Sequence, residues 1–369
     1  MKLNPVQFSK DHNIEFYKEL KKRVNDYFKS NNISRYANGK MYIKTAMMIL
    51  LYFVPYILIL TIAENLWFVF AMWILAGVGM AGIGMSVMHD ANHGSYSKNK
   101  YVNIILGFMI NIVGGSDVNW RIQHNVLHHT YTNVDGYDED IEVGGLMRFS
   151  PHQPRLKAHK YQHLYAWFLY GLLTINWFFR KDVKQAIRYK EMGLIETQNM
   201  TFKKVMTILV SSKILYFFMI FVLPFWLAPV AWYISLAGFL MMQFTAGFFL
   251  SVVFQTAHVL PRSNYPVPDE SGNIDADWAV NQLYNTANFA PNHKLLSWYV
   301  GGLNFQVEHH LFPNVCHIHY KEISKIVKQT AMEHNLPYYS YATFTAAIKD
   351  HAKLLKNLGK YDKAQGFGH

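Results

Sequence analysis

The polarity of this chain changes in long blocks. Residues 1–41 are polar, charged and helical in character. Two apolar runs follow, 42–63 and 66–88, and a second pair covers about 205–228 and 230–254. Each run is close to the roughly 20 residues that a helix needs to cross a bilayer. Only short connections, Thr61–Asn65 and Leu223–Val230, join the members of each pair. The pattern predicts four transmembrane helices in two hairpins. The segments 89–204 and 255–369 are then left outside the bilayer as a helical cap on a membrane domain of residues 42–369. Two weaker stretches, Tyr101–Gly115 and Leu164–Phe179, are short and carry Asn103, Asn111 and Asn176, which suits half-buried or interfacial helices. From His319 to Leu336, the residues Ile323, Ile326, Val327 and Ala331 form a helical stripe that Pro337 ends.

Charge orients these segments. Neither short connection contains Lys or Arg, whereas ten such residues lie in the first forty-four, fourteen lie between the pairs and ten follow. The remaining one, Lys213, sits inside a span. Positive charge favours the cytoplasmic side, so both termini, the middle segment and the cap are expected there. No short apolar core with a small-residue cleavage site opens the chain, so a cleavable signal peptide is not expected. Composition agrees with an integral membrane protein. The chain is 51% hydrophobic and 16% charged, against about 25% charged in soluble domains. Its mean hydropathy of +0.02 shows that apolar and polar parts coexist. The net charge of +11 suits anionic lipid head groups or an acidic partner.

Eighteen histidines among 369 residues raise the question of what they bind. His89-Asp90-Ala91-Asn92-His93 follows the second apolar run, with its two rings one α-helical turn apart. His124-Asn125-Val126-Leu127-His128-His129 sets His124 and His128 on one helix face with His129 beside them. Gln306-Val307-Glu308-His309-His310 adds two rings, with Gln306 one turn before His310. His258 follows the fourth run at the same expected depth as His89. These eight imidazoles are too many for one tetrahedral ion and suit two ions with open positions. Iron, copper and zinc all accept imidazole, so the residues alone leave the metal open. No Glu-x-x-His pair of the carboxylate type occurs. Asp90, Asp138, Asp140 and Glu308 are better placed to orient imidazoles than to bind metal. The single cysteine, Cys316, excludes an intrachain disulfide and a cysteine metal cluster.

The ordered boxes HDANH, HNVLHH and QVEHHLFP, set around two hairpins, resemble the membrane fatty acid desaturases. Glutamine at the head of the third box resembles the front-end group, which inserts a double bond between an existing one and the carboxyl end. The flanking Asn285–Asn288, Gly301–Phe305 and Cys316–Tyr320 agree with it. The likeness spans about Ser86 to Tyr338, the first hairpin matching in architecture only. It implies two non-haem iron ions held by His89, His93, His124, His128, His129, His258, His309 and His310. Gln306 stands where relatives place a ligand, with coordination, a water bridge or indirect support all open. It also implies a cis double bond placed in a fatty acyl chain, CoA- or lipid-linked, at the expense of dioxygen and two electrons. Many eukaryotic relatives carry a fused haem domain with a His-Pro-Gly-Gly motif. No His-Pro dipeptide occurs here, and Cys316 cannot by itself build an iron–sulfur site. The electrons are therefore expected from a separate ferredoxin or cytochrome-type carrier with its reductase. Membrane lipids are expected partners, and nucleic acid is not.

Two alternatives share features with this reading. A hydroxylase or ketolase of the same His-rich superfamily would present a similar site. A metal transporter would place ionisable ligands in mid-membrane, where these spans are nearly free of them. Gly77-Val78-Gly79-Met80-Ala81-Gly82 matches a dinucleotide pattern but lies inside a span, where small residues favour close helix packing. His152, His159, His163, His293, His317 and His319 lack paired spacing and are expected at the surface or behind the ligands.

Overall fold

The computed structural model describes residues 6–9, 14–62 and 64–361. The expected end of the first run at Ala63, the outer parts of the 1–41 segment and the last eight residues of the cap fall outside them. The described chain is mostly helical. Its strands are two parallel two-residue pairings, Gln7–Phe8 with Asn273–Ile274 and Asn288–Phe289 with Ser340–Tyr341.

Four helices are long and apolar enough to cross a membrane: Gly39–Thr61, Leu66–Asn92, Phe202–Leu227 and Trp232–His258. The second and fourth run past the apolar ends at 88 and 254 and so carry His89 and His258 within them. Polarity alone does not stop a helix when its side chains find partners. Asn92 donates to the Gly107 carbonyl at 3.1 Å, and His258 Nδ1 bonds the Asn285 carbonyl at 3.2 Å.

The chain divides into two compact units. The first holds Ala37–Ile122 and Trp167–Val252. Its spans meet through small residues. A Cβ on Gly79 would fall 2.5 Å from the Tyr52 nitrogen of the first span. One on Gly77 would fall 2.6 Å from the Met242 carbonyl of the fourth. Trp73 covers Gly238 so closely that no side chain fits there. The glycines that imitate a nucleotide loop are thus a packing face. Ile43, Met47, Leu50, Val54 and Ile57 are exposed along the first span, and Ile214 and Leu215 along the third. Helices apolar on both their buried and exposed sides are built for lipid rather than water. Between the second and third spans, Lys100–Ile112 and Asp117–His128 meet at a 108° bend.

The second unit comprises the described residues of 6–36, Gln123–Ala166 and 253–361. The helix Ile14–Ser30 lays Phe16, Leu20, Val24 and Phe28 against Ile323, Val327 and Ala331 of the helix Tyr320–Glu333. The predicted stripe therefore faces a core within this unit. Arg148 is buried and donates to the carbonyls of Gln153, Pro151, Leu358 and Tyr361. A cation at those terminal carbonyls fastens the end of the helix Phe344–Lys360. From that helix His351 reaches the Val259 carbonyl at 2.7 Å, next to His258.

Candidate metal centre

Local helix geometry arranges the second histidine box. Arg121–His128 is a π-helix, and the His129 nitrogen bonds the His124 carbonyl at 3.0 Å, five residues back. The α-helical face expected for His124 and His128 is corrected accordingly. The wider turn lets one box present three rings together, a use typical of π segments at functional sites. Ring centroids of His124 lie 5.4 Å from His128 and 4.7 Å from His129. The short helix Gln306–Leu311 supplies His309 and His310, whose rings stand at 84° to one another. His309 turns toward His124 and His129, and His310 toward His128 and His258.

Two groups of ring nitrogens result within the second unit. Nε2 of His129 lies 2.9 Å from that of His309 and 3.2 Å from that of His124, and the third side is 3.4 Å. A proton cannot serve all three sides of such a triangle. Three nitrogens around one ion, at bonds of about 2.1 Å and ordinary coordination angles, would stand about 3.0–3.4 Å apart. The second group is His128, His258 and His310, whose ligand atoms lie within 4.8 Å of one another. Their Nε2 atoms are buried and make no hydrogen bond. Buried lone pairs facing one another without donors are costly unless a cation answers them. The rings of His129 and His310 stack at 4.3 Å, so the two groups adjoin. The residues fit resident metal ions on these distances.

The opposite edges of the rings explain how the lone pairs are aimed. His128 Nδ1 bonds Asp138 at 3.0 Å, and His310 Nδ1 bonds Gln282 Oε1 at 2.9 Å. His258 Nδ1 has the Asn285 carbonyl, and His309 Nδ1 meets the Tyr320 hydroxyl at 3.2 Å. Fixing Nδ1 leaves Nε2 as the ligand edge. Burial works against charge on Asp138, yet His128 and the amides of Asn133 and Asp140 hold its carboxyl below the usual range. Burial and neighbouring rings keep His310 well below an ordinary imidazole, and hence neutral.

Asp138 takes the orienting role expected from sequence, and Asp140 stands farther off at 3.6 Å. Glu308 does not touch an imidazole. Its carboxylate accepts from Asn288 and Tyr338, and burial pushes it up to about 7. Asp90 lies 3.8 Å from His89 Nδ1, beyond hydrogen-bond length. Sequence reasoning missed Gln282 and Thr132 altogether. Thr132 donates to Gln282 Oε1 at 2.7 Å and so braces the partner of His310. Tyr320 and Asn285 stood in the flanking text without a role. His159 is neither a surface group nor a ligand support: it is buried, with Nε2 on the Gly145 carbonyl and Nδ1 accepting from the Leu156 nitrogen.

His89 and His93 lie in the first unit. Their centroids are 4.8 Å apart, and both meet Trp120 edge-on at 5.4 and 5.6 Å. Gln306 is buried, with its side-chain amide within reach of His258.

The family model described as fatty acid desaturase matches residues 65–342. An sn-1 linoleoyl-lipid 6-desaturase of Arthrospira platensis is 35% identical over 96% of this chain and 94% of its own length. An acyl-lipid (8-3)-desaturase of Physcomitrium patens is 37% identical over 96% of this chain and 74% of its own length. An sn-1 linoleoyl-lipid 6-desaturase of Synechocystis is 35% identical over 94% of this chain and 96% of its own. With a site able to hold metal and four helices able to cross a membrane, the chain belongs to the fatty acid desaturase family, in its front-end group, and is a membrane oxidoreductase acting on fatty acyl chains.

Proposed function

We propose that the protein inserts a cis double bond into a lipid-linked acyl chain at two iron ions. The ligands are His89, His93, His124, His128, His129, His258, His309 and His310, with Gln306 beside them. The observation that carries this reading is the pair of facing nitrogen groups, one a triangle of 2.9–3.4 Å and the other a set of three buried, unbonded Nε2 atoms. Six of the eight expected ligands stand in those groups, and family resemblance adds His89 and His93. The lipid-linked substrate follows from the acyl-lipid and linoleoyl-lipid desaturases among the relatives.

The bound ions would activate dioxygen, the oxidant, so that two hydrogens can be taken from an unactivated chain while the oxygen is reduced to water with two further electrons and two protons. The protein's own share is placement, because small misplacements are costly in such reactions. Asp138, Gln282 Oε1 and the Asn285 carbonyl, all acceptors, hold three rings in one tautomer and one orientation, and the Tyr320 hydroxyl orients His309 as the fourth. Burial of all four excludes water from the ligand edge. Trp120 forms an aromatic wall beside His89 and His93.

The four spans form two hairpins. Both termini and the helical cap, 89–204 with 255–369, face the cytoplasm, as the Lys and Arg bias supports. A separate ferredoxin or cytochrome-type carrier docks there and delivers two electrons per turnover. The deciding experiment is expression in a host lacking the activity, followed by gas chromatography of total fatty acids. A new cis-unsaturated acid, absent when His128→Ala is expressed at equal level, is the expected result. Hydroxylated or ketone products would replace desaturation with the related chemistries.

A further inference from the structure

Beyond Lys203 and Lys204 in its first turn, the third span carries one more basic residue, Lys213, well inside it, where charge is costly. Its ammonium pairs with Asp182 at 2.8 Å and donates to the carbonyls of Gly114 at 3.1 Å and Trp177 at 3.2 Å. The Phe178 ring lies 5.0 Å away. An ion pair and two donated hydrogen bonds engage the ammonium, so this lysine holds structure rather than substrate.

What it holds is the bend between Lys100–Ile112 and Asp117–His128. Gly114 takes the turn at φ +94°, and a Cβ there would fall 2.8 Å from the Tyr216 ring. Lys213 and Tyr216, three residues apart on one helix face, therefore grip the same glycine from the third span. Asp182 extends the grip. Its main-chain carbonyl accepts from Asn119 Nδ2 at 2.7 Å. The next residue is Trp120, which meets His89 and His93 edge-on. Arg121 adds a second tie, donating to Asn92 inside the first histidine box at 3.0 Å and to Asp117 at 2.8 Å. All of these residues lie in the first unit.

We propose that Lys213 is a positioning residue: paired with Asp182 it fixes the Gly114 bend and, through Asn119 and Trp120, the His89–His93 pair, and so sets how tightly that pair binds metal. The proposal rests on His89 and His93 being metal ligands. The assay is ferrous iron affinity of the purified full-length chain, measured by competition with a chromophoric chelator, together with protein yield. Lys213→Met alone strands a buried carboxylate and is expected to cost yield. Two other variants therefore carry the test. Asn119→Leu keeps the ion pair and cuts the link, and the double variant Lys213→Met with Asp182→Leu removes both charges.

Both should bind iron about threefold to thirtyfold more weakly, the range that packed side-chain networks carry. Asn119→Leu decides alone if the double variant does not accumulate. A pair that only stabilised the fold would lower yield and leave the iron affinity of the folded protein unchanged. That result in Asn119→Leu overturns the proposal. His93→Ala separates the two layers. Full iron affinity in His93→Ala overturns the ligand reading beneath the proposal. Weak binding there beside normal binding in Asn119→Leu overturns the positioning role alone.

Discussion

The two units of this chain hold histidines by different means. In the second unit, four rings are tied at Nδ1 by a carboxylate, an amide, a carbonyl and a phenol. In the first unit, His89 and His93 are packed edge-on against Trp120. Hydrogen bonds are directional and fix the tautomer as well as the ring plane. An edge-on ring contact fixes position and ring plane without itself selecting a nitrogen. The difference matches the material each unit is made from. The first is dominated by spans whose outer faces are exposed isoleucine, leucine and methionine. The second buries polar residues in quantity, among them Thr132, Asn133, Asp138, Gln282 and Asn285.

The largest effect should come from removing a ring where the two nitrogen groups of the second unit adjoin. His310→Ala takes away a nitrogen aimed into the second-unit cluster. Desaturase activity should fall below detection, at least about a hundredfold, and retained iron should drop while the protein still enters the membrane fraction. Near-normal turnover would remove His310 from the ligand set. His128→Ala and His309→Ala should behave alike.

How much of this was legible in the sequence follows from the range of each interaction. Seven of the eight histidines stand at short spacings within boxes and could be named as candidates from that pattern, while His258 stands alone and entered by its depth beside His89. Spans were legible because an apolar run needs no partner to declare itself. The π register of Arg121–His128 was not legible, since the same His-x₃-His-His spacing suits an α-helix. Nor were the orienting groups. Gln282 reaches His310 across 28 positions, and Thr132 reaches Gln282 across 150. Nothing local distinguishes that glutamine from any other. Glu308 shows the converse error, because adjacency to His309 suggested a contact that its side chain makes with Asn288 and Tyr338 instead.

The next effects test the contrast directly. Asp138→Asn keeps the shape beside His128 and removes the charge. Iron affinity should weaken about tenfold to a hundredfold, as for other residues that support metal-bound histidines. Gln282→Leu should fall in the same range through His310. Trp120→Phe keeps an aromatic edge beside His89 and His93, so a loss of only a few-fold is expected. If Trp120→Phe costs more than Asp138→Asn in the same chelator competition, packing outweighs hydrogen bonding and the comparison is reversed.

The smallest effect at neutral pH, and the most specific to the second unit, concerns His351. This ring is buried with Nδ1 on the Val259 carbonyl, and burial lowers its value from 6.5 to about 4. A histidine depressed in the folded state is neutral there while the unfolded chain takes up a proton. Above about pH 6.5 neither state is protonated at this ring, and acid has no hold on it. As pH falls from 6.5 toward 4, the unfolded state binds the extra proton and stability is lost, by up to about 3 kcal/mol for a shift of this size. Below about 4 both states are protonated and the loss levels off. His351→Gln can still donate to the Val259 carbonyl but does not titrate. Activity at pH 7.5 should be nearly unchanged. The variant's unfolding free energy, measured against the parent from pH 8 to 4, should gain on it only below about 6.5, because every other titrating group is shared and cancels. A difference that stays flat across that range would show that His351 is accessible to protons in the folded protein, and that the second unit is less tightly closed around Val259 than its hydrogen bonds suggest.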